Sequence, residues 1–142
     1  MVATPQKITT QELANLAVKL IGVAGCEYGD IRLCNYRTQR LSARDRSLKG
    51  LADNVSSGFG VRVLLDGAWG FAASHRKTPE EVTRIVNLAV EIAKGSRLSQ
   101  QNPIKLAPVA PYRDKYVTPI EIDPFSISIG EKADLLLNIC DC

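Results

Sequence analysis

Residues 58–74 read GFGVRVLLDGAWGFAAS, and this stretch decides the fold. Asp66-Gly67 is the dipeptide of a two-residue type I′ turn, in which both central residues take positive φ, and apolar residues flank it on both sides. A two-residue loop sets the register of the hairpin: Leu65 opposite Ala68, Val63 opposite Gly70, Val61 opposite Ala72 and Phe59 opposite Ser74. One face therefore sets large side chains against small ones and leaves room for a helix to dock. The other face pairs Leu64 with Trp69 and Arg62 with Phe71, a mixture of aromatic and cationic groups that suits a second surface more than a sealed core. Arg62, Trp69 and Phe71 are the candidate contact residues.

Working outward from the hairpin, Thr78-Pro79-Glu80-Glu81 opens a helix with a capping residue, a proline at the first helical position and acids at the positive dipole end. Val82, Ile85, Val86, Ala89 and Ala93 form its apolar stripe, Leu88, Val90 and Ile92 broaden it, and Lys94-Gly95 is expected to close it. On the N-terminal side, Tyr28 to Val55 reads as a pair of long, solvated strands with a change of phase near Cys34 to Tyr36 that fits a bulge. Before it, Thr9-Thr10-Gln11-Glu12 fits a capping box, and Leu13, Leu16, Ala17, Leu20, Ile21 and Ala24 recur at helical spacing until Gly25.

Beyond the second helix, Pro103, Pro108, Pro111, Pro119 and Pro124 punctuate an extended connector, with short strands conceivable at residues 104–109 and 116–122. Ser128-Ile129-Gly130-Glu131 then opens a third helix, with Ala133, Leu136 and Cys140 spaced for burial, and the chain stops after about three turns, as a truncated protein would. The expected class is α+β: an antiparallel β-meander with a tight hairpin and helices packed on one face. Residues 1–97 form the core, 98–127 the connector and 128–142 the start of the last helix.

With 142 residues, 45% hydrophobic and 23% charged, the chain has enough apolar material for one real core. No apolar run approaches a membrane span, and the N-terminal MVATPQKITTQE lacks the apolar segment of a signal peptide, so the expected compartment is the cytoplasm. The formal charge of +3 is far from the dense basic patch of nucleic-acid binders.

The residues offer little catalytic chemistry. Cys26, Cys34, Cys140 and Cys142 show no CxxC spacing, and a lone histidine cannot complete the usual zinc patterns. His75 lacks an orienting acid and an oxyanion site near it in sequence, and Gly58-Phe59-Gly60 lacks the third glycine and the following helix of a dinucleotide loop. The expectation is therefore no catalytic residue, no metal ligand and no cofactor in this chain.

The order of these elements resembles the N-terminal domain of the TldD/PmbA metalloprotease family over about residues 10–140. The resemblance rests on Tyr28-Gly29-Asp30-Ile31-Arg32-Leu33, on Gly58-Phe59-Gly60-Val61-Arg62-Val63-Leu64 with Gly67-Ala68-Trp69-Gly70-Phe71-Ala72, and on Thr78 with the helix through Ala89 and Ala93. It implies a cytoplasmic zinc peptidase, dimeric with itself or with a TldD-like or PmbA-like subunit, that acts on unfolded or peptide-like substrates. It also implies a downstream His-Glu-x-x-x-His helix holding zinc in TldD-like members, absent from PmbA-like ones and from these residues. Members of the family are also called modulators of DNA gyrase.

On that resemblance the chain is the non-catalytic N-terminal domain, or a fragment, of such a peptidase, shaping the access of peptides through Arg62, Trp69 and Phe71. The alternative is a stand-alone peptide- or protein-binding regulatory module without protease activity. A third expectation, DNA-associated regulation through the Arg32 to Lys49 segment, is disfavoured by the scarcity of aromatic partners along that stripe.

Overall fold

The structure is a computed structural model and describes residues 8–140. The element order is α1 (Thr10–Val23), β1 (Tyr28–Arg44), β2 (Ser47–Leu65), β3 (Ala68–Ser74), α2 (Pro79–Ser99) and α3 (Ile129–Ile139). The three strands form one sheet in the order β1-β2-β3. Both strand connections are two residues long, and a link that short joins only antiparallel neighbours, so the sheet is a meander. Asp45 and Arg46 (φ 52 and 55) and Asp66 and Gly67 (φ 50 and 71) all take the left-handed conformation that such turns require. The β2–β3 register is the one that Asp66-Gly67 dictates, from Leu65 opposite Ala68 to Phe59 opposite Ser74.

The chain divides into two compact units. The first comprises the described residues up to Asn35 and Ser56–Ala107, and it holds the hydrophobic core. In it, Phe59, Val61, Val63 and Ala72 of the hairpin meet Val82, Ile85, Val86, Ala89 and Ala93 of α2 and Leu13, Ala17 and Ile21 of α1. Close packing is possible because glycines remove side chains where backbones meet. A Cβ on Gly70 would lie 1.9 Å from the Ala89 carbonyl oxygen and 2.6 Å from the Ala93 nitrogen, so α2 rests directly on β3. Gly29 similarly leaves the space that the Ile21 side chain fills.

The helix starts follow their capping residues. Thr9 and Glu12 form a reciprocal capping box on α1, and the Thr9 backbone and side-chain hydrogen bonds hold the Glu12 carboxyl below its ordinary range. Gly25, with φ +72, turns the chain out of α1, while Ala24 at the cap is exposed. On α2, Thr78 accepts from the Glu81 backbone N–H, with Pro79 in the first turn.

Two expectations about α2 are corrected. The helix does not close at Lys94-Gly95 but continues to Ser99, with Gln100 as its cap. One glycine inside a helix costs only about 1 kcal/mol, and the end is set instead by Gln100, whose Nε2 donates to the carbonyls of Gly67 (2.8 Å) and Asn102 (2.7 Å). Of the residues broadening the stripe, Val90 is buried whereas Leu88 and Ile92 lie at the surface. The connector forms no strand between α2 and α3, since prolines lack the N–H that a ladder needs.

At the junction of hairpin and helix, the buried Glu81 accepts a hydrogen bond from Ser74 Oγ (2.7 Å) and two from Arg84, Nη2 at 2.7 Å and Nε at 3.0 Å. The Arg84 bonds, then that of Ser74, pull its pKa from 4.5 down to about 2. A carboxyl whose pKa is lower in the folded than in the unfolded state contributes stability that is complete above the unfolded value and fades as pH falls toward the folded one. Glu81→Gln is therefore expected to remove part of the acid-dependent loss of melting temperature between pH 4.5 and about 2, while lowering stability at neutral pH. Thermal melts of both proteins across that range check it, and parallel acid limbs would show that Glu81 is not the group involved.

The second unit comprises Tyr36–Val55 and the described residues from 108 onward. Asp53 accepts from Arg37 (Nη2 2.8 Å, Nε 3.2 Å) and from Gln39 Nε2 (2.8 Å), and those bonds, the Arg37 one first, hold its pKa at about 2. The Arg37 guanidinium also lies 5.0 Å from the centre of the Phe125 ring, with Lys132 Nζ 5.7 Å from the same ring and bonded to Gln39 Oε1. Helix α3 starts at a Ser128–Glu131 capping box and buries no residue fully; Ala133 and Leu136 are half-buried and Cys140 is exposed, against the burial expected of them.

Candidate functional site

Strand alternation assigns the two faces of the sheet. Within the hairpin, the odd-numbered residues 59–63 of β2 and the even-numbered residues of β3 face α2, so Arg62, Phe71 and their neighbours lie on the opposite, outer face. That face falls into two parts within the first unit, a closed one beside the Asp66-Gly67 turn and an open one toward the start of the hairpin.

The closed part is built around Arg62. Its Nε and Nη2 donate to Asp30 Oδ2 at 2.9 and 2.6 Å, and its guanidinium lies 4.8 Å from the Trp69 ring centre and 5.8 Å from that of Tyr28. Tyr28 and Trp69 meet edge to face at 5.8 Å. The Asp30 carboxylate, the largest influence, pushes the Arg62 pKa further up. Leu64, expected on a contact surface, is instead only 1% exposed. Trp69 lies opposite it across the hairpin and β1 supplies Tyr28, so long side chains converge there and exclude water.

The open part is a groove of about 380 Å³ that crosses all three strands. Gly58, Gly60 and Ala73 keep its floor low, Arg32 and Cys34 of β1 line one side, and Phe71 lines the other. The Phe71 ring leans over Gly60, where a Cβ would come within 2.9 Å of it, yet Phe71 remains 59% exposed. Gly58 has a second reason to lack a side chain, since a Cβ there would lie 2.9 Å from the Ser74 carbonyl oxygen.

Of the three candidate residues, Arg62 and Trp69 thus belong to the closed cluster, whereas Phe71 stands free in the groove, which Arg62 also borders. Sequence reasoning does not single out Tyr28, Asp30 or the two glycines as site residues, and it names Arg32 only as the start of a disfavoured basic stripe. The available signal was the even numbering of Asp30 and Arg32 within a strand whose Ile31 and Leu33 point to the core.

The donor set does not fit a metal. Among the described residues, no group of three His, Cys, Asp or Glu side chains comes together, and His75 is exposed in the turn after β3. Cys26, Cys34 and Cys140 are free thiols, and burial pushes that of Cys26 up. Cys142 lies outside the described residues. No helix among the described residues is long and apolar enough to cross a membrane.

The family profile described as PmbA/TldA metallopeptidase domain 1 matches residues 29–93, from β1 through the core of α2. The chain belongs to the TldD/PmbA family, as its N-terminal domain. This TldD/PmbA domain is 27% identical over 112 residues to metalloprotease MJ0996 of Methanocaldococcus jannaschii, covering 79% of this chain and 25% of that protein. It is 30% identical over 110 residues to a metalloprotease of Methanothermobacter thermautotrophicus, covering 78% of this chain and 23% of the relative. Metalloprotease slr0863 of Synechocystis is 29% identical over 129 residues, with 87% of this chain and 27% of that protein covered. The chain thus spans about a quarter of the length of these relatives. The crystal structure of TldE from Thermococcus kodakarensis shares the fold, with a TM-score of 0.54 at 18% identity over 75% of this chain and 23% of that one.

Proposed function

We propose that this TldD/PmbA domain serves a zinc metallopeptidase as its non-catalytic N-terminal part, shaping the access of unfolded or peptide-like substrates to a centre held elsewhere in the longer protein. The observation that carries this is the asymmetry of the sheet. One face is sealed by α1 and α2, while the other keeps an open groove with the exposed Phe71 in it, and the described residues bring no metal ligands together. A sheet with β1 and β3 as its outermost strands among the described residues, and with an open face, suits main-chain pairing with an extended peptide, side chains dropping into the groove. The names of the relatives support the peptidase part of the proposal, and the zinc, the cytoplasmic setting and a dimer with itself or a TldD- or PmbA-like subunit belong to it.

A chimera tests the proposal, with this chain replacing the corresponding quarter of the Methanothermobacter relative. Phe71→Ala is expected to raise KM for an unstructured peptide by roughly threefold or more with kcat and zinc content nearly unchanged, the signature of lost binding that is equal in ground and transition states. The isolated chain is expected to hydrolyse nothing, with or without added zinc. Hydrolysis by the isolated chain, or a chimera whose KM ignores Phe71, would overturn the proposal.

A further inference from the structure

The groove on the outer face has an unbalanced charge. Asp30 Oδ2 takes two short hydrogen bonds from Arg62, whereas the Arg32–Asp30 ion pair is longer, with Nε 3.4 Å from Oδ1, and the Arg32 side chain is 72% exposed. The Asp30 charge is therefore answered chiefly by Arg62, and the Arg32 guanidinium stays largely exposed at the edge of a groove whose floor is glycine and alanine. An exposed guanidinium in water contributes little by itself, but beside a low-dielectric wall it presents two parallel N–H donors that match a carboxylate. The apolar part beside it, bounded by Phe71 over Gly60, has the depth for one aliphatic side chain.

We propose that this groove binds an extended acidic peptide, an apolar side chain lying on the Gly58–Gly60–Ala73 floor against Phe71 and a neighbouring carboxylate paired with Arg32. This assigns a substrate class to the outer face and rests on the access role proposed above. Arg62 is a positioning residue here: it neutralises Asp30, which would otherwise repel the incoming carboxylate.

The test is an NMR titration of the 142-residue chain with two blocked peptides, acetyl-Ala-Leu-Glu-Ala-amide and its glutamine counterpart, following the amides of Gly58 and Gly60 and the Trp69 indole. The glutamate peptide is expected to bind about tenfold more tightly, as a charge-assisted bidentate pair warrants. Arg32→Gln should abolish that difference and leave the glutamine peptide unaffected, and Ala73→Leu, which fills the floor from an exposed position, should weaken both. Equal affinities in the unaltered chain, indifference to Arg32→Gln, or no saturable shift at millimolar peptide would overturn the groove. So would self-association relieved by Ala73→Leu, which puts a second copy there, or Cys34 losing its reactivity toward maleimide in the chimera alone, which puts the rest of the longer protein there. The Phe71→Ala effect on KM uses no charged contact, so it judges the access role separately from the acidic specificity.

Discussion

Gly70→Ala is expected to destabilise the chain by about 3 kcal/mol or more, toward the upper end of what overpacking does. The added Cβ would meet the Ala89 carbonyl oxygen at 1.9 Å and the Ala93 nitrogen at 2.6 Å, both backbone atoms of α2. A clash with a flexible side chain is relieved by a rotamer change; a clash with helix backbone requires the whole helix to lift from β3. Lifting it would reopen contacts of Ile85, Val86 and Ala89, which are at most 1% exposed in the core. Gly95→Ala is the control on the same helix. Nothing lies within 4 Å of a Cβ at Gly95, and the position is interior to α2, so the substitution is expected to stabilise by about 0.5–1 kcal/mol through lower unfolded-state entropy. Urea unfolding of the two variants should shift the midpoint in opposite directions with similar m values. A mild effect at Gly70 would mean that α2 does not rest on β3 as described.

Gly67→Ala is the second substitution with a large expected effect, about 2–3 kcal/mol from left-handed strain and overpacking together. Gly67 has φ +71, and a Cβ there would lie 2.5 Å from Pro103 Cβ and 2.9 Å from Pro103 Cα. Its N–H donates to Glu27 Oε1 (3.0 Å), and its carbonyl accepts from Gln100 Nε2 and from the Ile104 N–H, both at 2.8 Å. This residue therefore ties together the turn, the entry to β1 and the end of α2. Beyond the stability loss, the variant should become sensitive to trypsin at Arg97 and Lys105 under conditions where the parent resists, because the held segment is freed. Loss of stability without new cleavage there would show that the turn matters but the tether does not.

These two glycines also show how far the residues could be read in advance. Gly67 was legible as a turn residue because Asp66-Gly67 between apolar runs has few other conformations open to it, and the register of seven β2–β3 pairs follows from loop length alone. Gly70 was legible only as a small residue opposite Val63; that Ala89 and Ala93 of α2 approach it is a long-range fact. Gly95 carries the local signature of a cap, whereas the contact at the true end of the helix, Gln100 on Gly67, spans 33 residues and leaves no local pattern. Alternation likewise places Leu64 on the outer face but does not say what covers it.

The same division holds for the site. Arg62, Trp69 and Phe71 were legible as members of one face, since period-two alternation in a hairpin of known register admits no other arrangement. Their division into a closed cluster and an open groove depends on β1, whose Tyr28 and Asp30 engage the ring of Trp69 and the guanidinium of Arg62. The helix starts, the turn at Asp66-Gly67 and the inward and outward faces of the hairpin strands are dictated locally, because each is an interaction among residues a few positions apart. Where α2 ends, which outer-face side chains cluster and which arginine stays exposed follow instead from contacts between segments 30 or more residues apart, which no local pattern encodes.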